Sequence, residues 1–492
     1  MQKAVETPHP IRDTLATGGF QMKTFVVLFL AIAFLSGRPA VAHNAGNRLI
    51  RVQLSDYREG MKRIQGQSID VAGVNLDTRE ADLLVNAEQA EWLSRNGFRF
   101  REILEKVDTS APDSRYQNPT KIESALKQFA AAYPSITKLV SIGKSLQGRD
   151  IWAIQITENA SKAAASKPHV FFNSMHHARE VMTSEVGLDI IDQLLQGYGK
   201  DPQITQWLRN YVIDVVPMFN VDGNNLVWTS DSMWRKNARG GYGVDINRNY
   251  PYAWNSCRGS SGSRYAQDFR GDSAGSEPET QVMMNFVSNI RPVFSISYHS
   301  YSEIVIYPYG CAGQRTETHE VVEKIGKELA TKLVKDDGRG TYRAGTAPEL
   351  LYSVDGGDID WHYAVAGVIP YVIEVNSTSQ GFQPSYAQWR DKTVAGQRAG
   401  WKYLLSRMDG ASVYGQVRGP SGMGVQNASL EVRSVGGTFK QKIRPAAEGY
   451  FTVILNPGQY EISVEAPGLK RSSKVVTVGE TRLRTDLSLS SR

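Results

Sequence analysis

His177-Ala178-Arg179-Glu180 sets an imidazole and a carboxylate three positions apart, and His299 stands far downstream inside Ser297-Tyr298-His299-Ser300-Tyr301. Two imidazoles and one carboxylate are the ligand set of an open catalytic zinc, which keeps a fourth position for water. A strand end running into a helix aims residues three apart at one ion. His299 follows Val293-Phe294-Ser295-Ile296-Ser297, which reads as a buried strand whose polar tip emerges at its end. Taken alone the pair decides little, because HxxE arises often by chance on helix faces. His176 also stands four before Glu180, and neighbouring strand residues point to opposite faces, so only one of the two histidines can face an ion. Spacing leaves them even. His362 reads as a packed helix histidine, His319 as a helix-face residue and His169 as the residue before a core strand; none has a metal partner at a convincing spacing.

Further motifs follow in a fixed order: Met233-Trp234-Arg235-Lys236, Gly243-Val244-Asp245-Ile246-Asn247-Arg248-Asn249, Tyr307-Pro308-Tyr309-Gly310, Tyr352-Ser353-Val354-Asp355-Gly356-Gly357 with Asp360-Trp361, and Tyr371-Val372-Ile373-Glu374. Over roughly residues 115–408 the chain thereby resembles the zinc metallocarboxypeptidases, the carboxypeptidase A/B-like family. The resemblance selects His177, Glu180 and His299 as ligands of one Zn2+ per catalytic domain. It implies Glu374 as the general base, because a carboxylate must take the proton of the attacking water and deliver it to the departing amine. Arg235 takes the family place of the fixed cation that meets charge developing on the carbonyl oxygen. An exopeptidase also needs a clamp for the free terminal carboxylate. Arg248 matches it with a guanidinium fork of the right geometry, and Asn247 adds an amide donor. Tyr352 matches the tyrosine that closes over the terminus, Arg179 an auxiliary arginine that guides substrate, and Asp245 a carboxylate that orients a zinc-bound imidazole.

The same resemblance places the pocket for the last side chain near Ile306, Gly310, Leu351, Val354, Ile359 and Val372. All are apolar or glycine, and Ile359 holds the position where basic-specific relatives carry an acid, so apolar or aromatic C-terminal residues are the expected substrates. Asp358 is adjacent, and a small backbone shift would bring it in. Val375-Asn376-Ser377 departs from the pattern of animal members, which touches the loop beside the base and not the base itself.

The positioning elements are those of an α/β domain, a mixed sheet sandwiched by helices. Strand-like runs lie at Lys138–Ile142, Ile151–Ile156, Val170–Asn173, Val212–Pro217, Val293–Ser297 and Ile369–Glu374, and helical patterns at Glu180–Leu195, Pro278–Ile290, Glu317–Val334 and Tyr386–Arg407. The motifs fall at strand ends, where open α/β sheets place their ligands. With 492 residues the chain is too long for one core. Residues 113–408 form the expected catalytic domain. Residues 47–107 alternate strand-like and helical segments (strands at 49–54, 81–85 and 98–104, helices at 59–64 and 87–93) and resemble the family's small α+β activation peptide, with an exposed linker near 107–114 where an activating protease would cut. From 409 to 492 short alternating strands separated by Gly, Pro and Asn predict an antiparallel β-sandwich resembling the transthyretin-like domain that follows some carboxypeptidase domains.

Met22-Lys23, an apolar run to Ser36 and Ala40-Val41-Ala42 have the pattern of a secretory signal peptide over 22–42, so residues 1–21 are expected to be a misassigned extension and the mature protein to be secreted or periplasmic, without a membrane span. Net charge is +6 with a pI near 9.0, yet the charges are interspersed and no basic block exists, so nucleic acid is not an expected partner. Peptide or protein C-termini are, and the chain is expected to act as a monomer. The two cysteines, Cys257 and Cys311, are candidates for a disulfide in an oxidising compartment. Two other classes use the same residues: a zinc amidohydrolase acting on cell-wall peptides or amino-acid conjugates, and an inactive peptide-binding relative. The intact Asn247-Arg248 clamp argues against the first, and the presence of every ligand and the base against the second.

Overall fold

A computed structural model describes residues 47–104, 108–163 and 166–492. The expected signal peptide, the residues ahead of it and Val107 lie outside the described residues.

The N-terminal part is a four-stranded sheet of β1 (Arg48–Gln53), β2 (Asp70–Asn75), β3 (Glu80–Val85) and β4 (Arg99–Leu104), ordered β2-β3-β1-β4, with helices α1 (Tyr57–Gln65) and α2 (Ala87–Arg95). The Asp56 side chain caps α1, and Asn86 and Gln89 form a reciprocal capping box on α2. Alternation decides the faces: Ile50, Val52, Leu83 and Val85 are sealed with Met61, Ile64 and Leu93, while Leu84 on the opposite face packs with Ala72, Tyr301 and Phe382. The sheet therefore buries both sides, one on its own helices and one on the next domain.

That domain is built on eight strands: β5 (Thr137–Lys144), β6 (Asp150–Ile156), β7 (His169–Ser174), β8 (Val212–Val216), β9 (Phe294–Ser300), β10 (Ile304–Tyr307), β11 (Arg343–Thr346) and β12 (Ile369–Val375), ordered β11-β10-β12-β9-β7-β8-β6-β5. Strands β12, β9, β7 and β8 run parallel, and parallel strands covered on both faces read as continuous apolar runs. Around them pack α3 (Pro119–Ala132), α4 (Met182–Gly197), α5 (Pro202–Asn210), α6 (Val221–Thr229), α7 (Pro278–Ile290), α8 (His319–Lys332), α9 (Ala347–Leu350), α10 (Asp358–Ala364) and α11 (Tyr386–Arg407). The register sets Glu374 beside His299 and Ser174 beside Tyr298, so the ends of β7, β9 and β12 open on one edge of the sheet.

The C-terminal part has one antiparallel sheet, β15-β14-β17-β18, made of β14 (Ser429–Ser434), β15 (Lys440–Ile443), β17 (Gly458–Glu465) and β18 (Ser472–Val478). In the second sheet β13 (Ser412–Arg418) takes β16 (Tyr450–Ile454) antiparallel, but β19 (Arg482–Arg484) and β20 (Leu487–Ser488) in parallel. The sandwich is thus mostly, not wholly, antiparallel. Its core is continuous with that of the eight-stranded domain.

Candidate active site

The strand β7 ends at Ser174, and Met175 takes a left-handed turn, φ 65°, that swings the next residues off the sheet edge. Side-chain amides then hold this loop from α6: Asn220 Nδ2 donates to His176 O at 2.9 Å and Asn224 Nδ2 to Ala178 O at 3.1 Å. Neither asparagine was legible as a site residue, although Asn220 carries a signal of its own, a helix cap whose side chain accepts from Gly223 N–H.

Three side chains meet at this edge. His177 Nδ1 lies 2.7 Å from Glu180 Oε1, His299 Nδ1 lies 3.1 Å from His177 Nδ1, and His299 Nδ1 lies 3.2 Å from Glu180 Oε2. All three are buried, and they are the one group of three such side chains among the described residues able to hold a metal ion. Two imidazole nitrogens facing each other across a carboxylate call for a cation between them. Burial lowers the pKa of His299, but Glu180 outweighs it and raises it to about 9, so the pocket has the field a cation needs. The donor set, two nitrogens and one carboxylate, is that of an open zinc site. Behind it, His177 Nε2 has no hydrogen-bond partner and lies 3.4 Å from Asp245 Oδ1, and His299 Nε2 lies 3.2 Å from Ser297 Oγ.

His176 turns the other way. Its Nε2 lies 3.1 Å from Tyr250 Oη, its Nδ1 is 3.3 Å from Ser297 Oγ, and its ring packs on Phe219. Burial holds its pKa down, near 3, so it is a neutral core histidine. His362 is likewise buried, against Ser295 Oγ; His169 pairs with Asp214; His319 starts α8 and faces Thr316 O.

Asp245 joins the histidine to the arginine beyond it. Arg235 Nη2 donates to Asp245 Oδ2 at 2.8 Å, and the Asn247 backbone N–H to Oδ1 at 2.9 Å. Burial would raise the Asp245 pKa, but Arg235 and then His177 hold it well below the usual carboxylate range. Arg248 is buried, donates to Gly259 O and Asn247 O, and makes no ion pair among the described residues. The Asn247 side-chain Oδ1 accepts from Asp358 N–H at 2.9 Å, which leaves the Nδ2 donors for a ligand. Cys257 and Cys311 are bonded, with Cα atoms 5.8 Å apart, and so tie the loop ahead of Gly259 to Gly310.

Glu374, the penultimate residue of β12, lies beside His299. Burial is the largest effect on it, His299 opposes and Glu180 adds repulsion; the outcome is a pKa raised to about 7. Ile306, Leu351, Val354, Ile359 and Val372 form one apolar cluster at this end of the sheet, and they line one cavity together with Arg235, Asn247, Arg248, Tyr352, Gly310 and Glu374. Asp358 and Asp360, in the first turn of α10, line the same cavity without any backbone shift; the Asp358 carboxylate lies 3.7 Å from His176 Nε2, and the Asp360 carboxylate accepts the Gly310 N–H.

The strand β2 closes the cavity. Val71, Ala72 and Gly73 line it, and a register shift between Val71 and Gly73 bulges the strand there. Gly73 has no room for a side chain, since a Cβ would meet the Tyr301 ring at 2.3 Å. Next to it Asp70 receives Arg179 in a bidentate pair of 2.7 and 2.9 Å, and the same guanidinium stacks on Phe382 at 4.1 Å. Tyr57 Oη donates to Leu350 O and Gln65 to Ser353 O, on either side of Tyr352. Asp70 and β2 were invisible in the sequence, because the run Asp-Val-Ala-Gly-Val-Asn is short, carries a glycine and is broken by its bulge.

Residues 122–395 match the zinc carboxypeptidase family and residues 412–490 the carboxypeptidase regulatory-like domain. The zinc carboxypeptidase of Saccharothrix mutabilis subsp. capreolus is 30% identical over 411 residues, 76% of this chain and 90% of that protein. Human mast cell carboxypeptidase A is 28% identical over 269 residues, 53% of this chain and 63% of that protein. Among solved structures, the carboxypeptidase A of Helicoverpa armigera superposes with a TM-score of 0.62 at 23% identity, covering 74% of this chain and 97% of that one. The chain belongs to the zinc carboxypeptidase family, a family of metallohydrolases that use Zn2+.

Proposed function

We propose that the chain is a secreted carboxypeptidase made as a precursor, which removes apolar or aromatic residues one at a time from peptide C-termini. The observation that carries this reading is one cavity that holds the metal-binding group, Glu374 and Arg248, which makes no ion pair among the described residues. His177, Glu180 and His299 would hold the ion; when bound, Zn2+ supplies a water of lowered pKa and polarises the scissile carbonyl. Arg248 takes the substrate carboxylate bidentately, with Asn247 Nδ2 and the Tyr352 hydroxyl as further donors. Arg235 faces the charge developing on the carbonyl oxygen, and its bond to Asp245 fixes it in place. Glu374 takes the water proton and passes it to the departing amine; a carboxyl with a pKa near neutrality suits both transfers.

Two features support the precursor reading. Asp70 sits on Arg179 as a substrate carboxylate would, and with β2 in place the cavity has only about 70 Å³, where ligand sites commonly have several hundred. Apolar selectivity is supported by the cluster around Ile359, although Asp358 and Asp360 also line the cavity, Asp358 accepting the Ile359 N–H and Asp360 the Gly310 N–H. Among the described residues no helix is long and apolar enough to cross a membrane. The specificity test is a panel of peptides alike except for their last residue, assayed after removal of the N-terminal part. Phe, Tyr and Leu should be released fastest; a preference for Lys or Arg would mean that Asp358 or Asp360, which also line the cavity, reads the last side chain, and would contradict the assignment.

A further inference from the structure

At the end of the sheet opposite the metal-binding group lies a second cleft, of about 580 Å³, between the eight-stranded domain and the C-terminal sandwich. It begins where β7, β9 and β12 start, at His169, Val293 and Ile369, whereas His177, His299 and Glu374 lie where these strands end. Its walls carry an excess of cations. Two of them are matched: Arg209 pairs with Glu158 at 3.3 Å and Arg484 with Asp486 at 3.2 Å. Lys167 is saturated by Thr157 Oγ1 and the carbonyls of Glu158 and Leu208.

Three guanidinium groups remain. Arg291, from the end of α7, donates to Ser288 O and Pro445 O, and Arg444 makes no hydrogen bond or ion pair among the described residues. Arg482 is stacked between Tyr211 and Tyr414, with its Cζ 5.5 and 4.2 Å from their centroids; among the described residues its side chain donates only to Tyr211 Oη, and its buried Nε has no partner. Burial, and then the Arg444 charge, lower the pKa of Arg291, as expected of like charges held together without a counter-ion. Arg291 comes from one domain, Arg444 and Arg482 from the other.

We propose that this cleft is a binding site for a compact polyvalent oxyanion, a sugar or polyol bearing clustered sulfate or phosphate esters, clasped by Arg291, Arg444 and Arg482 across the domain junction. Spare guanidinium N–H groups match such oxygens in geometry and charge. A bridging anion favours the docked sandwich, so it stabilises the folded state by mass action. The site lies away from the cleavage chemistry and anchors or rigidifies the enzyme without changing the reaction.

The test is thermal denaturation and titration calorimetry of the zinc-loaded protein with inositol hexasulfate, a poor ligand for zinc, at constant ionic strength. Glucose 1,6-bisphosphate in a parallel arm separates phosphate from sulfate esters. The wild type should show a saturable rise in Tm with one or both probes and unchanged peptide hydrolysis. Arg444→Gln, an exposed position with no bond to lose, should keep the probe-free Tm and bind at least tenfold more weakly. Arg99→Gln, in the N-terminal sheet, should bind as the wild type does. Absence of saturable binding, equal affinity in Arg444→Gln, or equal weakening in Arg99→Gln would overturn the site.

Discussion

At the scale of single residues, the account turns on what each carboxylate faces. Glu180 faces two imidazoles, Asp245 an arginine and an imidazole, and the buried Glu374 the His299 imidazole with the Glu180 charge nearby, so three chemically similar groups are suited to different tasks. Glu374→Gln should therefore retain one zinc per chain by metal analysis while kcat falls by roughly 10²–10⁴, the usual worth of a general acid–base group. A kcat within threefold of wild type would put the base elsewhere. Glu303 gives a separate test, of stability. It sits at φ 56°, and burial is the main reason its pKa is raised to about 7, with the charge of Asp336 adding to it. A carboxyl raised in the folded state contributes stability that is complete below its unfolded pKa, about 4.3, and is lost as pH rises through 7. Glu303→Gln removes that dependence. Between pH 4.5 and 7.5 the variant should lose less stability than wild type, by about 2 kcal/mol once partial exposure is discounted, measured by denaturant melts. Parallel curves would contradict the assignment.

At the scale of elements, the parallel strands were legible because burial on both faces makes them continuous apolar runs ending in polar motifs, as Val293–Ser297 and Ile369–Glu374 do. The helices Pro278–Ile290 and Tyr386–Arg407 keep the bounds their pattern predicts. Short elements escaped. Ile304–Tyr307 and Arg343–Thr346 have four residues each, too few for a period, and their places in the sheet are set by partners far along the chain. The strand that closes the cavity, Asp70–Asn75, escaped for a different reason: its residues are chosen to fit Tyr301 and Arg179, which no local pattern encodes. Its role can be measured. Intact protein retaining residues 47–107 should hydrolyse peptides slowly, and proteolysis within 108–115 should raise the rate. Asp70→Asn should raise the uncleaved rate by roughly 10²–10³-fold, because losing one partner of a buried charge pair costs about 3–5 kcal/mol of closure. Equal rates before and after cleavage would make the N-terminal sheet a folding aid.

At the scale of the whole molecule, the chain divides its labour between a cover, a catalytic sheet and a sandwich that shares the sheet's core. The division was readable from shifts of period along the sequence, from α+β to α/β to short alternating strands. The packing between parts was not, because it depends on contacts such as Arg51 with Asp82 and Thr378 O, Tyr211 with Asp409, and Arg343 with Asp77. The site follows the same rule. Its proposed ligands and clamp lay in motifs, whereas Asn220, Asn224, Ser297 and Asp70, which hold or cover them, became visible only in three dimensions. The central claim is that Arg248 reads a free terminal carboxylate beside a zinc-activated water. Mass spectrometry of one peptide, offered as the acid and as the amide to the cleaved, zinc-loaded enzyme, tests it most directly. The acid should lose a single C-terminal residue far faster than the amide, and Arg248→Ala should erase most of that difference, a loss of about 2–5 kcal/mol in kcat/KM for the acid alone. Equal cleavage of acid and amide by the wild type would contradict the account.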